Sequence, residues 1–307
     1  MNIKSSVLLE TLRWEDHPAN PIIEPPSPEW MIADPTLLTP DDSPDQLWHM
    51  FANSLLGIHH YISSDGIKWT KQGKRLFGGL RPYVYKEHDH YFILYEKAIS
   101  PRRTVIAMRK SEDLIHWSDP TILIGPYLYW EGKGLCTNGN PCLIFYEGLF
   151  RLYYSAGWVF LRDCLFIEPK YIGVAVSESI FGPYYKRFTP LIGPSKDPYF
   201  RNLGAGAIKI IPPKGNGKWY GLNNGIYRDE KGKSRSAIFL LNSENGYQWN
   251  IALKNPILAP SDTGWKRALV YALDIVEYNN ELRIYYNARD GWFKGRERIG
   301  VAFAGLT

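Results

Sequence analysis

One β-hairpin is written five times along this 307-residue chain. Its copies read "ADPTLLTPDDSPDQLWHMFAN", "LRPYVYKEHDHYFILYEKA", "GNPCLIFYEGLFRLYYSAG", "GAGAIKIIPPKGNGKWYGLNNG" and "YALDIVEYNNELRIYYNARD". Each is an apolar strand, a polar turn, then a second strand rich in Tyr and Leu. A second element follows each hairpin: "HHYISSDGIKWTKQG", "TVIAMRKSEDLIHWSDP", "YIGVAVSESIFGPYYKRF" and "SAIFLLNSENGYQWNIAL". It reads as an alternating strand, a Ser-led turn and an aromatic that opens an outer strand. The fifth copy, "RIGVAFAGLT", ends with the chain.

A repeat of this kind dictates architecture before any single residue is considered. A four-stranded sheet with two apolar faces cannot bury both alone, so five such sheets stack face to face around an axis. The expectation is all-β: a five-bladed β-propeller of four-stranded antiparallel blades, forming a single domain over 1–307. The truncated last copy calls for an outer strand from elsewhere, and the N-terminal segment near "RWEDHPANPIIE" is placed to supply it. A two-sheet sandwich leaves the fivefold order unexplained. The 21 Tyr, 13 Phe, 11 Trp, 27 Gly and 22 Pro suit a strand- and turn-rich chain.

Charge and cysteine usage narrow the setting. The net charge of +5 comes from basic residues scattered singly or in pairs such as Arg102-Arg103. A nucleic-acid partner would require a concentrated basic face. Cys136, Cys142 and Cys164 form neither a CxxC pair nor an even disulfide framework. No segment approaches 18 apolar residues, and the apolar run of "MNIKSSVLLETLRWEDHP" is too short for a signal core. These readings point to a cytoplasmic protein with no membrane partner. The histidines, including His59-His60, fit no metal-ligand spacing, and no GxSxG elbow, Walker loop or dinucleotide fingerprint occurs. No cofactor or metal is expected.

In a propeller the innermost strands line the axis, and their first residues surround one mouth of the channel. Asp34, Arg81, Asn140, the Gly204–Gly206 stretch and Ala272 mark equivalent positions in the five hairpins. Asp274, two residues beyond Ala272, shares its face by strand alternation. These positions predict a polar cluster of Asp34, Arg81, Asn140 and Asp274.

The alternation of an inner "ADP" strand, a Tyr-rich second strand and an "SxDLxxW" turn resembles the five-bladed glycosidases of glycoside hydrolase family 43 and their relatives. "ADPTLL" is similar to the first-blade motif, which implies that Asp34 acts as a general base or, as in the related fructosidases, a nucleophile. "SEDLIHWSDP" resembles the second-blade turn, and "SSDGIKWT" is a looser copy. The family also implies an aspartate on the second blade and a general-acid glutamate on the third. Here those positions carry Arg81 and Asn140, and neither side chain can do a carboxylate's work.

Glycoside hydrolysis needs two carboxyl groups, one of them protonated near neutrality. Glu96 in "ILYEKA" and Glu131 in "YLYWEGKG" are the candidate acids, Glu131 because Tyr129 and Trp130 flank it. Asp274 is the third carboxylate near the mouth. Each also has an ordinary reading, as a strand-end ion pair, an exposed loop charge or a blade-locking residue. Trp69, Trp117 and Trp249 recur after the Ser-led turns and read as packing between blades. Trp30, Phe51, Tyr129, Trp130 and Trp158 are candidate walls for sugar rings, whose C–H faces stack on aromatics. The expected function is a glycosidase acting on a short oligosaccharide or glycoside in the axial pocket. A non-catalytic carbohydrate-binding or scaffold propeller, and a phosphorylase with Arg81 on phosphate, are the alternatives.

Overall fold

The computed structural model describes residues 8–195, 199–215 and 217–306; the run read for a leader begins in residues 1–7, outside them. Among the described residues the strands assemble into five four-stranded antiparallel sheets. Blade 1 comprises Ala33–Leu38, Trp48–Ser54, Gly57–Ser63 and Thr70–Phe77. Blade 2 comprises Leu80–Glu87, His90–Ser100, Arg103–Ser111 and Thr121–Ile124. Blade 3 comprises Asn138–Tyr146, Leu149–Leu161, Phe166–Ser177 and Tyr185–Lys186. Blade 4 comprises Ile208–Ile211, Trp219–Arg228, Ser234–Ser243 and Asn250–Ile251. Blade 5 takes Leu269–Tyr278, Glu281–Arg289 and Glu297–Gly305 from the end of the chain, and Glu15–Asp16 from its beginning. The chain is thus a five-bladed β-propeller whose first and last segments share a sheet.

The Ser-led turns fold alike because each side chain replaces a backbone partner that the turn cannot offer. Ser63, Ser111 and Ser243 accept N–H bonds from Gly66, Leu114 and Gly246, each 2.9 Å. Asp65, Asp113 and Asn245 accept two further N–H groups apiece. The following Trp69, Trp117 and Trp249 donate back to the carbonyls of Gly66, Leu114 and Gly246. An aromatic on the second strand of the preceding blade then meets each indole edge-on: Tyr285 on Trp69, Phe51 on Trp117, Tyr153 on Trp249. Tyr285 and Tyr153 also donate their hydroxyls to the Gly66 and Gly246 carbonyls, each at 3.0 Å. Phe51, a candidate sugar wall by sequence, is therefore the inter-blade ring of blade 1, fully buried beside His60.

Inner strands begin with a second repeated device. The register slips between Ala33 and Thr36, Leu80 and Tyr83, Gly139 and Cys142, and Val270 and Leu273. The bulged pairs are Asp34-Pro35, Arg81-Pro82, Asn140-Pro141 and Tyr271-Ala272. A proline lacks a ladder donor and is tolerated at a bulge, and a bulge re-aims the neighbouring side chain. Asp34, Arg81 and Asn140 hold φ of 53°, 54° and 46°, and Gly206 of blade 4 holds 56°. Such backbone costs a non-glycine residue about 1–3 kcal/mol and persists only when the surroundings enforce it. Here the preceding blade does so: Asp34 N–H donates to Asn287 Oδ1 (3.1 Å) and Arg81 N–H to Asn53 Oδ1 (2.6 Å).

This register corrects one expectation. The blade 5 residue at the Asp34 position is Tyr271, not Ala272, which places Asp274 a full step further down its strand. Asp274 Oδ2 accepts Thr36 Oγ1–H and Leu37 N–H at 2.9 Å, clamping blade 5 to blade 1. It lines the opposite mouth with Leu38, Tyr85 and Phe145, away from Asp34. We predict that Asp274→Ala, which takes the acceptor from three buried donors, Thr36 Oγ1 and the N–H groups of Leu37 and Ile275, lowers stability by about 3 kcal/mol, whereas Tyr285→Phe costs only about 1 kcal/mol. Urea denaturation of the two variants measures the difference.

Candidate active site at the axial mouth

Inner strands start at this mouth, second strands end at it and third strands start from it, so three positions per blade can reach it. A cavity of about 260 Å³ results. Asp34, Arg81, Asn140, Gly206, Ala207, Tyr271 and Ala272 come from the inner strands or the residues just before them. Asn53, Asn224, Asn287 and Arg289 come from second strands, Glu168 and Glu297 from third strands. Trp30, Leu55, Leu80, Phe166 and Ile167 give it apolar walls. Below it Pro35, Pro82, Pro141, Ile208 and Leu273 narrow the axis to a void of about 20 Å³, with Lys209 among them.

Three carboxylates from three blades line this cavity: Asp34, Glu168 and Glu297. Glu168 stands on the extended hairpin of blade 3, opposite Val159. Its carboxyl group makes no hydrogen bond or ion pair with any described residue. Burial, opposed by Arg81 and reinforced by Asp34, pushes its pKa up to about 7. Glu297 is 6% exposed and is gripped by the N-terminal segment. Its N–H donates to Trp30 O, and its carbonyl accepts Ile32 N–H. Asn287 donates to its carboxylate. Burial together with Asp34 and Glu168 nevertheless raises Glu297 to about 8. Asp34 is also raised by burial, but Arg81, Lys209 and a hydrogen bond from Asn53 oppose that shift. Glu96 adds to the rise.

Two arginines balance these acids. Arg81 Nη1 donates to Glu96 Oε2 at 2.6 Å. Glu96, 4% exposed, packs against the Gly139 backbone and does not line the cavity. It is the counter-ion behind Arg81, which corrects its reading as a mouth acid. The Arg289 guanidinium carbon lies over the rings of Trp30 and Phe166, 4.9 Å from each centroid.

The second candidate acid is displaced altogether. Glu131 is fully buried and accepts hydrogen bonds from the Lys186 ammonium, the Asn138 side-chain amide, the Tyr154 hydroxyl and the N–H groups of Tyr127 and Leu128. The loop glutamate is a structural anchor for "GPYLYWEG", not an exposed charge. Burial pulls Lys186 down to about 8 despite this partner. Trp130, 5% exposed, packs on Tyr154 and Tyr171 and donates to Phe188 O, so it is core. Trp158 donates to Leu135 O outside the cavity. Of the sequence candidates, Asp34, Arg81, Asn140 and Trp30 come together; Glu96, Glu131, Asp274, Phe51, Trp130 and Trp158 do not line this cavity.

Glu168 and Glu297 were missed because only strand starts of the innermost row, and the end of one second strand, were read as mouth positions. A signal existed. "YIGVAV" and "RIGVAF" are matching third strands, and each has a glutamate a few residues upstream, in "FIEPKYIGVAV" and "GRERIGVAF".

No family model and no curated protein matches the sequence. The fold does match solved structures. A glycosyl hydrolase from Bacteroides ovatus has a TM-score of 0.67 at 13% identity, covering 94% of this chain and 93% of that one. An N-acetylgalactosamine deacetylase from F. plautii, solved with blood group B trisaccharide, gives 0.64 at 11% identity over 96% and 94%. An α-L-arabinanase from Cellvibrio cellulosa, solved with arabinohexaose, gives 0.62 at 12% identity over 89% and 91%. At these identities the likeness establishes the shared five-bladed fold.

The raised carboxyls carry a stability cost with a definite sign. Between about pH 4.5 and 8 the folded protein retains protons on Glu168 and Glu297 that the unfolded chain has released. These groups therefore weaken the fold as pH rises through that window. Glu297→Gln is expected to raise stability by roughly 4 kcal/mol at pH 8 and to change it little at pH 4.5. Thermal melts at the two pH values measure this.

Proposed function

We propose that the axial cavity is the active site of an enzyme that cleaves a glycosidic bond, taking a short oligosaccharide or glycoside as substrate. The observation that supports this reading is the convergence of three carboxylates, from blades 1, 3 and 5, on one cavity with different protonation tendencies. Glycosyl transfer to water needs this division of labour: a protonated acid at the leaving oxygen and an ionised carboxylate on the other side of the anomeric carbon.

Glu168 is the acid in this reading. It is held protonated by burial, and no hydrogen bond restrains its carboxyl from reaching a leaving-group oxygen. Asp34 is the basic partner, its charge sustained by Arg81 and Lys209 and its backbone fixed by Asn287. Glu297 is the third acid, buried and clasped by Asn287, and its proton keeps the cavity from accumulating negative charge. Trp30 offers its face to a sugar ring, and Asn140, whose side chain lines the cavity, is available to ring hydroxyls. Structural neighbours whose names describe glycosyl hydrolases and an arabinanase agree with this reading at the level of the fold.

A hydrolase with these assignments loses its acid as Glu168 deprotonates. For the wild type, kcat/KM on a panel of aryl glycosides is expected to fall as pH rises through about 7. Glu168→Gln removes that alkaline limb and lowers kcat by about 10²–10⁴-fold, least for substrates with the best leaving groups. Asp34→Asn lowers kcat over a similar range of about 10²–10⁴ without restoring activity at any pH. Unchanged turnover in Asp34→Asn would remove the assignment.

A further inference from the structure

Two donor groups in the cavity, the Tyr271 hydroxyl and the terminal N–H groups of Arg289, have no hydrogen-bond partner among the described residues. Tyr271 occupies the blade 5 bulge at the position Asp34 holds in blade 1, and it is 5% exposed. Its buried hydroxyl finds no hydrogen-bond partner among the described residues. A buried phenol left unpaired costs about 1–3 kcal/mol, so its retention calls for an acceptor that arrives from outside. Burial, then Glu168 and Glu297, hold it firmly protonated, which makes it a donor.

Arg289 is the second donor. The residue is 4% exposed, and its Nε–H donates to Gly291 O at 3.0 Å. No carboxylate of the described residues forms an ion pair with it, in contrast to Arg81, which is paired to Glu96. Its guanidinium carbon instead lies 4.9 Å from the ring centroids of both Trp30 and Phe166, each a ring that lines the same cavity. Contact with aromatic faces restrains a guanidinium and leaves its terminal N–H groups free for a bidentate acceptor. A buried, unpaired arginine of this kind is the residue that recognises a planar carboxylate.

We propose that Arg289 and Tyr271 form a subsite for a carboxylate carried by the sugar, so that the preferred substrate is a uronic acid glycoside. The proposal rests on the reading of this cavity as a glycoside site and deepens it to a substrate class. A singly charged carboxylate is favoured over a phosphate dianion because Asp34, the carboxylate read as ionised, lines the same cavity. The carboxylate supplies a direct ion-pair partner for Arg289, which otherwise acts on Glu168 and Glu297 without touching them, and the missing acceptor of Tyr271.

The test is calorimetric binding of methyl glycosides of glucuronic and galacturonic acid, the matching neutral glucosides and galactosides, and inorganic phosphate, with turnover of the corresponding aryl glycosides. An acidic glycoside is expected to bind at least about tenfold more tightly than its neutral partner. Tyr271→Phe weakens the acidic ligand by about tenfold while leaving Tm unchanged or higher, because its hydroxyl has no protein bond to lose. Arg289→Gln weakens it by about a hundredfold and abolishes the preference. A structural role for Tyr271 would lower Tm and leave the acid-over-neutral ratio intact, which overturns the proposal. Equal or better binding of the neutral glycosides, tight binding of phosphate alone, or no binding at all also overturns it. Turnover restricted to neutral glycosides overturns the subsite but leaves glycoside cleavage standing. Tight binding of acidic glycosides without turnover upholds the subsite and removes the cleavage.

Discussion

Everything at the axis depends on closing the ring between the two ends of the chain. Glu15–Asp16 pairs with the last strand, Asn20 exchanges two hydrogen bonds with Val301, and the segment runs on past Ile299 to flank Glu297 at Trp30 and Ile32. Asp16 meets Tyr286 and Lys266, while Asp274 and Asn287 reach across to Thr36, Leu37 and Asp34. Asp34 and Glu297 are separated by most of the sequence and share a cavity only because this seam exists. The seam also satisfies the outer edge of the last blade, which would otherwise expose unpaired backbone groups.

Closure also explains how an unfavourable site is sustained. Positive φ at Asp34, Arg81 and Asn140, two carboxyls displaced upward by burial, and an unsatisfied Tyr271 hydroxyl all oppose folding. They gather on one face of the axis. The opposite mouth holds Asp274, whose carboxylate accepts donors from the adjacent blade and which locks the ring. The division follows from the bulges. Each X-Pro pair turns the first residue toward the upper cavity, and the prolines close the floor beneath it.

The fold was legible because its signals repeat. Hairpins and Ser-led turns recur, and Trp69, Trp117 and Trp249 do the same job in three blades. The site was legible only where it fell on those repeats: Asp34, Arg81 and Asn140 occupy one repeated bulge. Glu168 and Glu297 sit at third-strand starts of unequal length, a depth that strand alternation does not give. Glu131 misled because a Gly-rich loop normally exposes its charges. Nothing local in "YLYWEGKG" announces Lys186, which lies 55 residues away. Asp274 misled through a register slip of one residue, enough to turn a side chain to the other face of its strand.

The central claim is that the cavity keeps a protonated carboxylic acid at neutral pH within the same pocket as a carboxylate. Glutamate-selective ¹³C carboxyl NMR, assigned with Glu168→Gln and Glu297→Gln, measures this in the resting protein without choosing any substrate. The account predicts two glutamate resonances with midpoints near pH 7 and 8, each lost in its own variant. Titration of both groups below about pH 5, where ordinary glutamates ionise, would contradict it.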